Sequence, residues 1–144
     1  NSKDINFILD GFKKLKIHED VKQSLKILNN KNFKIVTLTN GSKEIAELML
    51  KHNKCKKFVD RCFSVEEKKI WKPNREIYHF VCKEMYCKPS RSIMIASHGW
   101  DISGAENAGL NTGYLQKYES KLSDFYCKPT YSAKNCFDLI KKII

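Results

Sequence analysis

Apolar positions recur along this chain with two different periods. Residues 19–30, EDVKQSLKILNN, place Val21, Leu25 and Leu28 on one side of a helix. Residues 33–38, FKIVTL, form a short apolar run that predicts a buried strand, and the turn TNGS follows it. Segments with the helical period and segments with the strand period alternate in the same way to the end of the chain. The pattern therefore predicts helices and strands in alternation.

Four more helices and three more strands follow from this pattern. The helices are predicted at 42–52, 75–85, 101–109 and 132–143, and the strands at 61–65, 92–97 and 112–116. Ser42 is the expected N-cap of one helix, and Gly109 closes another. The strand at 92–97 is mostly apolar, which favours burial on both of its faces. Alternation of this kind predicts an α/β fold with a parallel sheet flanked by helices.

Length and charge narrow the classes of function. The 144 residues are enough for one domain, and the formal net charge is +11. The lysines are scattered, and no nucleic-acid-binding motif occurs, so a solvated basic surface is favoured over specific nucleic-acid binding. No apolar run approaches the roughly 20 residues of a membrane span, and no signal peptide is visible after Asn1. We expect no membrane association.

Cysteine usage bears on the cellular compartment. The six cysteines include no Cys-x-x-Cys pair, and their spacings do not match a structural zinc site. Cys62 and Cys82 lie in apolar segments and are interpreted as small buried residues. A reducing, cytoplasmic location is therefore favoured over a disulfide framework.

Candidate reactive side chains follow the predicted strands. Ligands of open parallel sheets bind at the C-terminal ends of the strands, which selects the segments TNGS, KKIWKP and SHGWD. Thr39 and Asn40 can hydrogen-bond a substrate oxyanion, or they form only a turn and a helix cap. Lys72 can neutralise a carboxylate or a bound anion, or it is one more solvated lysine. Tyr78 either reaches the same pocket or packs in the core.

The third segment, SHGWD, adds an acidic side chain and two aromatic rings. Asp101 opens a predicted helix, where it either caps the N-terminus or holds Lys72 and orients a water molecule. His98 can donate a hydrogen bond to a substrate or take part in acid–base chemistry. Trp100 is interpreted as a packing residue or a pocket wall.

Taken in order, the segments LTNGS, WKPNREIY and SHGWDISGAENAGL resemble the haloacid dehalogenase superfamily. The resemblance is closest to the type II (S)-2-haloacid dehalogenase branch and extends from about Phe7 to the last helix. It implies a Rossmann-like core with a parallel sheet. It also implies that Thr39, with Asn40 beside it, matches the second family motif, and that Lys72 matches the third.

The fourth family motif separates the branches. Asp101 matches the family aspartate that pairs with the lysine, and Tyr78 matches a tyrosine added in dehalogenases. Phosphatases of the superfamily place two acids in this motif to hold magnesium, whereas this chain has Ser97 at the earlier position. The resemblance therefore implies no cofactor, with magnesium needed only by a phosphatase. His98 and Ala96 depart from the Asn and Ser of well-known dehalogenases, which leaves substrate preference open.

The nucleophilic aspartate of the first motif is not found. Asp10, in NFILDGF, is a weak nucleophile candidate, and an ordinary helix residue is the favoured interpretation. Residues 1–18 fit the end of the family's cap and its linking helix, and residues 19–144 fit the core. We expect this chain to lack the first, nucleophile-bearing strand and most of the cap. An upstream segment or a second chain would then complete the sheet, or the segment around Asp10 would supply a degenerate strand. A homodimer is the other expected assembly.

Three interpretations remain open at this stage. The preferred one is a hydrolase that resembles (S)-2-haloacid dehalogenase and acts on a small carboxylic acid through a covalent aspartyl ester. The second is a catalytically inactive subunit or binding module for an acidic protein or RNA. The third is a phosphatase acting on a small phosphate ester. In the first, Lys72→Ala should abolish turnover with little loss of fold.

Overall fold

The computed structural model describes residues 2–117 and 122–144 and divides the chain into two compact units, Asn1–Glu67 and Lys68–Ile144. The helices are α1 (Ser2–Lys13), α2 (Glu19–Asn30), α3 (Lys43–His52), α4 (Arg75–Glu84), α5 (Gly99–Asn107) and α6 (Cys136–Ile143). The strands are β1 (Val36–Thr39), β2 (Arg61–Ser64), β3 (Ile93–Ala96), β4 (Asn111–Leu115) and β5 (Tyr131–Ala133).

The first unit holds a parallel pair of strands. β1 pairs with β2 in the register that sets Val36 opposite Arg61 and Thr39 opposite Ser64. Partly buried side chains, including Leu25 of α2, pack against its core. That core contains four buried apolar side chains: Leu50, Cys55, Val59 and Cys62. The C-terminal ends of both strands therefore lie side by side, as the parallel arrangement requires.

The second unit holds a three-stranded parallel sheet in the order β3-β4-β5. Its core is supplied by α4, α5, α6 and β4. Five of the core side chains are at most 1% exposed: Ile77, Tyr78, Ile102, Tyr114 and Leu139. Together, the parallel strands and intervening helices of the two units confirm the predicted α/β, Rossmann-like fold with parallel sheets flanked by helices.

Several predicted boundaries move for identifiable reasons. The strand predicted at 33–38 begins at Val36, because the amide of Phe33 donates to the carbonyl of Leu28 and belongs to the end of α2. The terminal helix begins at 136 rather than 132, since the Asn135 side chain accepts from the amide of Asp138 and caps it. The residues before that cap pair with β4 and form β5, a strand that the pattern did not predict.

The expected full burial of the strand at 92–97 is wrong. All four residues of β3 are half-buried, and so are all four of β1. Among the described residues, β3 pairs with β4 alone and β1 with β2 alone. A strand paired on one side within its sheet lacks half of the neighbours that bury an interior strand.

Asp10 lies in a helix and not at the end of a strand. α1 contains it, and its carboxylate accepts a hydrogen bond from Lys13 at 2.7 Å while remaining 62% exposed. This pairing lowers the pKa of Asp10. The alternative in which this segment supplies a degenerate strand is therefore wrong, and the segment before residue 19 contributes a helix.

The burial of two cysteines agrees with a further expectation. Cys62 and Cys82 are buried, as predicted, and all six cysteines are free thiols. In the described ranges, no cluster of three His, Cys, Asp or Glu side chains has a metal-binding arrangement. Nor does any helix there reach the length and apolarity of a bilayer span.

Candidate functional site

A buried ion pair joins two segments of the second unit. The ammonium of Lys72 lies 2.6 Å from Oδ2 of Asp101, and the two side chains are only 8% and 5% exposed. Lys72 precedes α4, and its peptide bond to Pro73 is cis. Asp101 lies in the first turn of α5, near the positive end of the helix dipole. The pair predicted from the sequence therefore exists, and little water surrounds it.

Asp101 does not cap its helix. The helix begins at Gly99, two residues earlier than predicted, because the carbonyl of His98 accepts from the amides of Asp101 and Ile102. His98 occupies the N-cap position. The carboxylate of Asp101 is thus left to side-chain partners, and the capping interpretation of this residue is wrong.

Tyr78 supplies the second partner of that carboxylate. Its hydroxyl donates to Oδ1 of Asp101 at 2.6 Å, and the side chain is 1% exposed. Burial, followed by the hydrogen bond to Asp101 and that residue's negative charge, raises the pKa of Tyr78. Tyr78 therefore both packs in the core and reaches the candidate site, where it fixes the orientation of Asp101.

This raised pKa predicts a specific alkaline loss of stability. Below 10.0, the ordinary pKa of tyrosine, Tyr78 is protonated in both the folded and unfolded chain, so its contribution to stability is complete. Above it, the unfolded chain releases the proton while the folded chain keeps it, so the free energy of unfolding falls by up to about 1.4 kcal/mol per pH unit. Urea unfolding on both sides of this pH should show a shallower decline in Tyr78→Phe.

Tyr86, which is 97% exposed, provides the matched control. Tyr86→Phe should follow the parent protein at every pH, because an exposed phenol has no buried partner to lose. Equal slopes for the parent and Tyr78→Phe would contradict the assigned environment of Tyr78.

A glycine lets these side chains approach each other. A Cβ atom built on Gly104 of α5 would lie 2.6 Å from the carbonyl oxygen of Pro73 and 2.8 Å from the hydroxyl of Tyr78. Only a hydrogen atom fits at this position, because backbone oxygen cannot move aside cheaply. Gly104 was not predicted as a site residue from the sequence, although a glycine inside a helical pattern is a recognised signal of close packing.

Two rings lie beside the ion pair. The ammonium of Lys72 lies 5.5 Å from the ring centroid of Trp100, a distance typical of a cation–π contact. The imidazole of His98 stacks on the same indole, with ring centroids 5.7 Å apart and an interplanar angle of 9°. His98 is exposed, whereas Trp100 and Ser97, which follows β3, are half-buried. An ammonium held in this way can stabilise a bound anion or developing negative charge.

Thr39 and Asn40 belong to the first unit, at the end of β1. The hydroxyl of Thr39 accepts from the amide of Gly41 at 2.9 Å, so this side chain closes the turn. Asn40 is exposed. Ser64, opposite Thr39 in β2, is fully buried and donates to the carbonyl of Gly41 at 2.8 Å. Ser64 thus anchors the turn, a role that the sequence did not indicate because serine is common in loops.

The chain matches the family model described as haloacid dehalogenase-like hydrolase over residues 2–109. It is 34% identical over 107 residues to (S)-2-haloacid dehalogenase 1 of Pseudomonas sp. (strain CBS-3), covering 74% of this chain and 47% of that protein. It is 30% identical over 105 residues to (S)-2-haloacid dehalogenase 4A of Burkholderia cepacia, covering 73% of this chain and 46% of that protein.

Solved structures agree with the sequence relatives. A crystal structure of a dehalogenase with an intermediate complex superposes with a TM-score of 0.86 at 25% identity, over 92% of this chain and 59% of that one. The chain therefore spans about half the length of the curated relatives it matches. Since the family model extends over most of the sequence, this chain belongs to the haloacid dehalogenase superfamily, in its haloacid dehalogenase-like branch.

Proposed function

We propose that this chain forms part of a hydrolase of the (S)-2-haloacid dehalogenase type, acting on a small 2-substituted carboxylic acid. The observation that carries the proposal is the buried Lys72–Asp101–Tyr78 arrangement, with contacts of 2.6 Å on both carboxylate oxygens. These three residues stand where the family resemblance assigns the lysine, its aspartate and the dehalogenase tyrosine. Burying an ammonium group costs free energy unless the group is paired. The presence of a paired, buried ammonium at this position favours a function for its charge.

The proposed reaction has two steps. A carboxylate oxygen attacks the carbon that bears the halogen; a C–O bond forms, the C–halogen bond breaks, and the halide leaves with the bonding electrons. Water then attacks the carbonyl carbon of the resulting ester, which returns the carboxylate and releases a 2-hydroxy acid and a proton. We place the nucleophilic carboxylate in a segment that precedes Asn1, because none of the site residues assigned here supplies it.

Each assigned side chain has a role in this scheme. Lys72 is proposed to hold the attacking carboxylate by its positive charge, and Asp101 to fix Lys72 and orient the hydrolytic water. Tyr78 positions Asp101. Thr39 is proposed as a third catalytic residue. The remaining assignments are to substrate contacts, in which hydroxyl, amide and imidazole groups bind the carboxylate or the leaving group and the indole forms a wall: Asn40, Ser97, His98 and Trp100.

The test uses the complete protein and three substrates. With (S)-2-chloropropanoate we expect halide release, with little release from the (R) enantiomer, since displacement requires approach from the side opposite the leaving group. A single turnover in ¹⁸O-labelled water should place the label in the protein carboxylate first and not in the product. Hydrolysis of p-nitrophenyl phosphate instead would establish the phosphatase, whose preference for two acids Ser97 does not meet.

Absence of both activities in a folded protein would favour the binding module. The intact mass of the purified protein is the measurement to make first, because a mass well above 16.8 kDa would reveal the segment in which to seek the nucleophile. Six free thiols support a cytoplasmic location, which we include in the proposal. A homodimer stays a prediction that sedimentation of the complete protein would decide.

A further inference from the structure

An aromatic ring occupies the space that a side chain at residue 99 would need. A Cβ atom built on Gly99, the first residue of α5, would overlap the ring of Tyr126, with Cδ2, Cε2 and Cγ as the nearest atoms. Gly99 is buried, and the φ of this residue is not in the left-handed region, so the backbone conformation alone would accept alanine. It is the contact with Tyr126 that requires glycine here.

Hydrogen bonds hold Tyr126 in this place. The amide of Cys127 donates to the hydroxyl of Ser103 on α5 at 2.9 Å, directly after the ring. The amide of Tyr126 donates to the carbonyl of Ser123 at 3.0 Å, which folds the chain into a turn before the ring. The segment on either side of Tyr126 is therefore fixed locally and through α5.

The same segment is also tied to the sheet. The amide of Thr130 donates to the hydroxyl of Thr112 at 3.1 Å, and the amide of Thr112 donates to the hydroxyl of Thr130 at 3.0 Å. Both threonine hydroxyls donate in turn to Oε1 of Glu106 on α5. The ring of Tyr126 is thus held against the start of α5 by a segment that is anchored to β4 and to the helix itself.

We propose that Tyr126 is a positioning residue for the first turn of α5. That turn bears His98 on one side of Gly99 and Trp100 and Asp101 on the other, so its position sets the indole, the stacked imidazole and the ion pair with Lys72. The ring acts by filling the volume beside Gly99, and its hydroxyl is not needed for this role. The effect on turnover rests on the proposed function, whereas the effect on geometry does not.

The geometric test follows Trp100 directly. The chain has two tryptophans, so Trp71→Phe leaves a single indole, which 5-fluorotryptophan converts into one ¹⁹F resonance. In this background, Tyr126→Phe should leave the resonance unchanged, while Tyr126→Ala and Gly99→Ala should each shift or broaden it. Combining Gly99→Ala with Tyr126→Ala should restore the thermal midpoint lost in Gly99→Ala, because the methyl group then has room.

An unchanged resonance in Tyr126→Ala or in Gly99→Ala would overturn the proposal. So would a double variant that is less stable than Gly99→Ala alone, because removing the ring must relieve the overlap. These outcomes need no catalysis and therefore stand even if no activity is found.

Kinetics of the complete protein supply the second readout. Tyr126→Ala should lower kcat per folded molecule by about tenfold to a hundredfold, the cost of misplacing reacting groups by about 1 Å, and Tyr126→Phe should retain parental kcat. A shifted resonance with unchanged kcat and KM in Tyr126→Ala would overturn the positioning role. Absence of activity in the parent protein would instead reject the proposed function and leave the ¹⁹F result to decide this inference.

Discussion

Replacing Lys72 by alanine in the complete protein is expected to lower kcat for halide release by at least about a hundredfold. The ammonium is held 2.6 Å from Asp101. In the proposed mechanism it would supply the positive charge that the carboxylate nucleophile needs. Steady-state halide release under saturating substrate measures the effect, because a change confined to KM would indicate a role in binding alone.

Burial of the pair adds a cost in stability that the sequence did not suggest. Removing Lys72 leaves the Asp101 carboxylate buried, with a hydrogen bond from the hydroxyl of Tyr78 but without its cation, which should destabilise the fold by about 3 kcal/mol. Adding Asp101→Asn removes the uncompensated charge, so the double variant should recover stability without recovering activity. Denaturant unfolding of the single and double variants separates the structural effect from the catalytic one.

Lys83 provides the matched control for Lys72. It lies exposed in the last turn of α4 and makes none of the contacts that fix Lys72. Lys83→Ala should change neither kcat nor the midpoint of unfolding appreciably, since exposed charges contribute little. Parental turnover in folded Lys72→Ala would remove this lysine from the mechanism.

Gly104→Ala is expected to destabilise the protein by about 2–3 kcal/mol, although alanine is the better helix former. The added methyl group would lie 2.6 Å from the carbonyl oxygen of Pro73, next to Lys72, and 2.8 Å from the hydroxyl of Tyr78. Relief requires α4 and α5 to separate locally, which also disturbs the bond from Tyr78 to Asp101. Thermal unfolding should therefore show a lower midpoint, and turnover per folded molecule should fall with it.

Gly11→Ala is the matched control for Gly104→Ala, because the two substitutions are not expected to change the free energy of unfolding in the same direction. Gly11 also lies within a helix, α1, but a Cβ atom there would meet nothing within 4 Å. Gly11→Ala should raise the free energy of unfolding by roughly 0.5–1 kcal/mol or leave it unchanged. If Gly104→Ala also stabilised the protein, the close packing at Pro73 and Tyr78 would be incorrect.

The order of elements could be predicted because periodicity is a local property. α2 spans the predicted residues 19–30, and α4, β2 and β4 differ from their predicted ranges by a single residue at one or both ends. The errors occur where one contact outweighs a local preference. β5 is short, and its pairing with β4 rather than its own composition makes it a strand.

The placement of candidate residues after strands was also available from the sequence. Thr39 and Ser97 end or follow short apolar runs that predict strands, so both could be expected at strand ends before any coordinates. The partners of these groups could not be expected in the same way. Ser64 anchors the turn after Thr39 because the register of β1 against β2 sets these two residues opposite each other. A shift of one residue in that register would turn the side chain of Ser64 to the other face of the sheet.

The sequence by itself determined the alternation of elements, the family resemblance and the identities of Lys72, Tyr78 and Asp101, because each is a matter of local spacing or residue type. Only the tertiary structure decided that one carboxylate serves both Lys72 and Tyr78, across separations of 29 and 23 residues. It also decided that Gly104 and Gly99 must lack side chains, since a steric limit exists only once Pro73 and Tyr126 are packed against them.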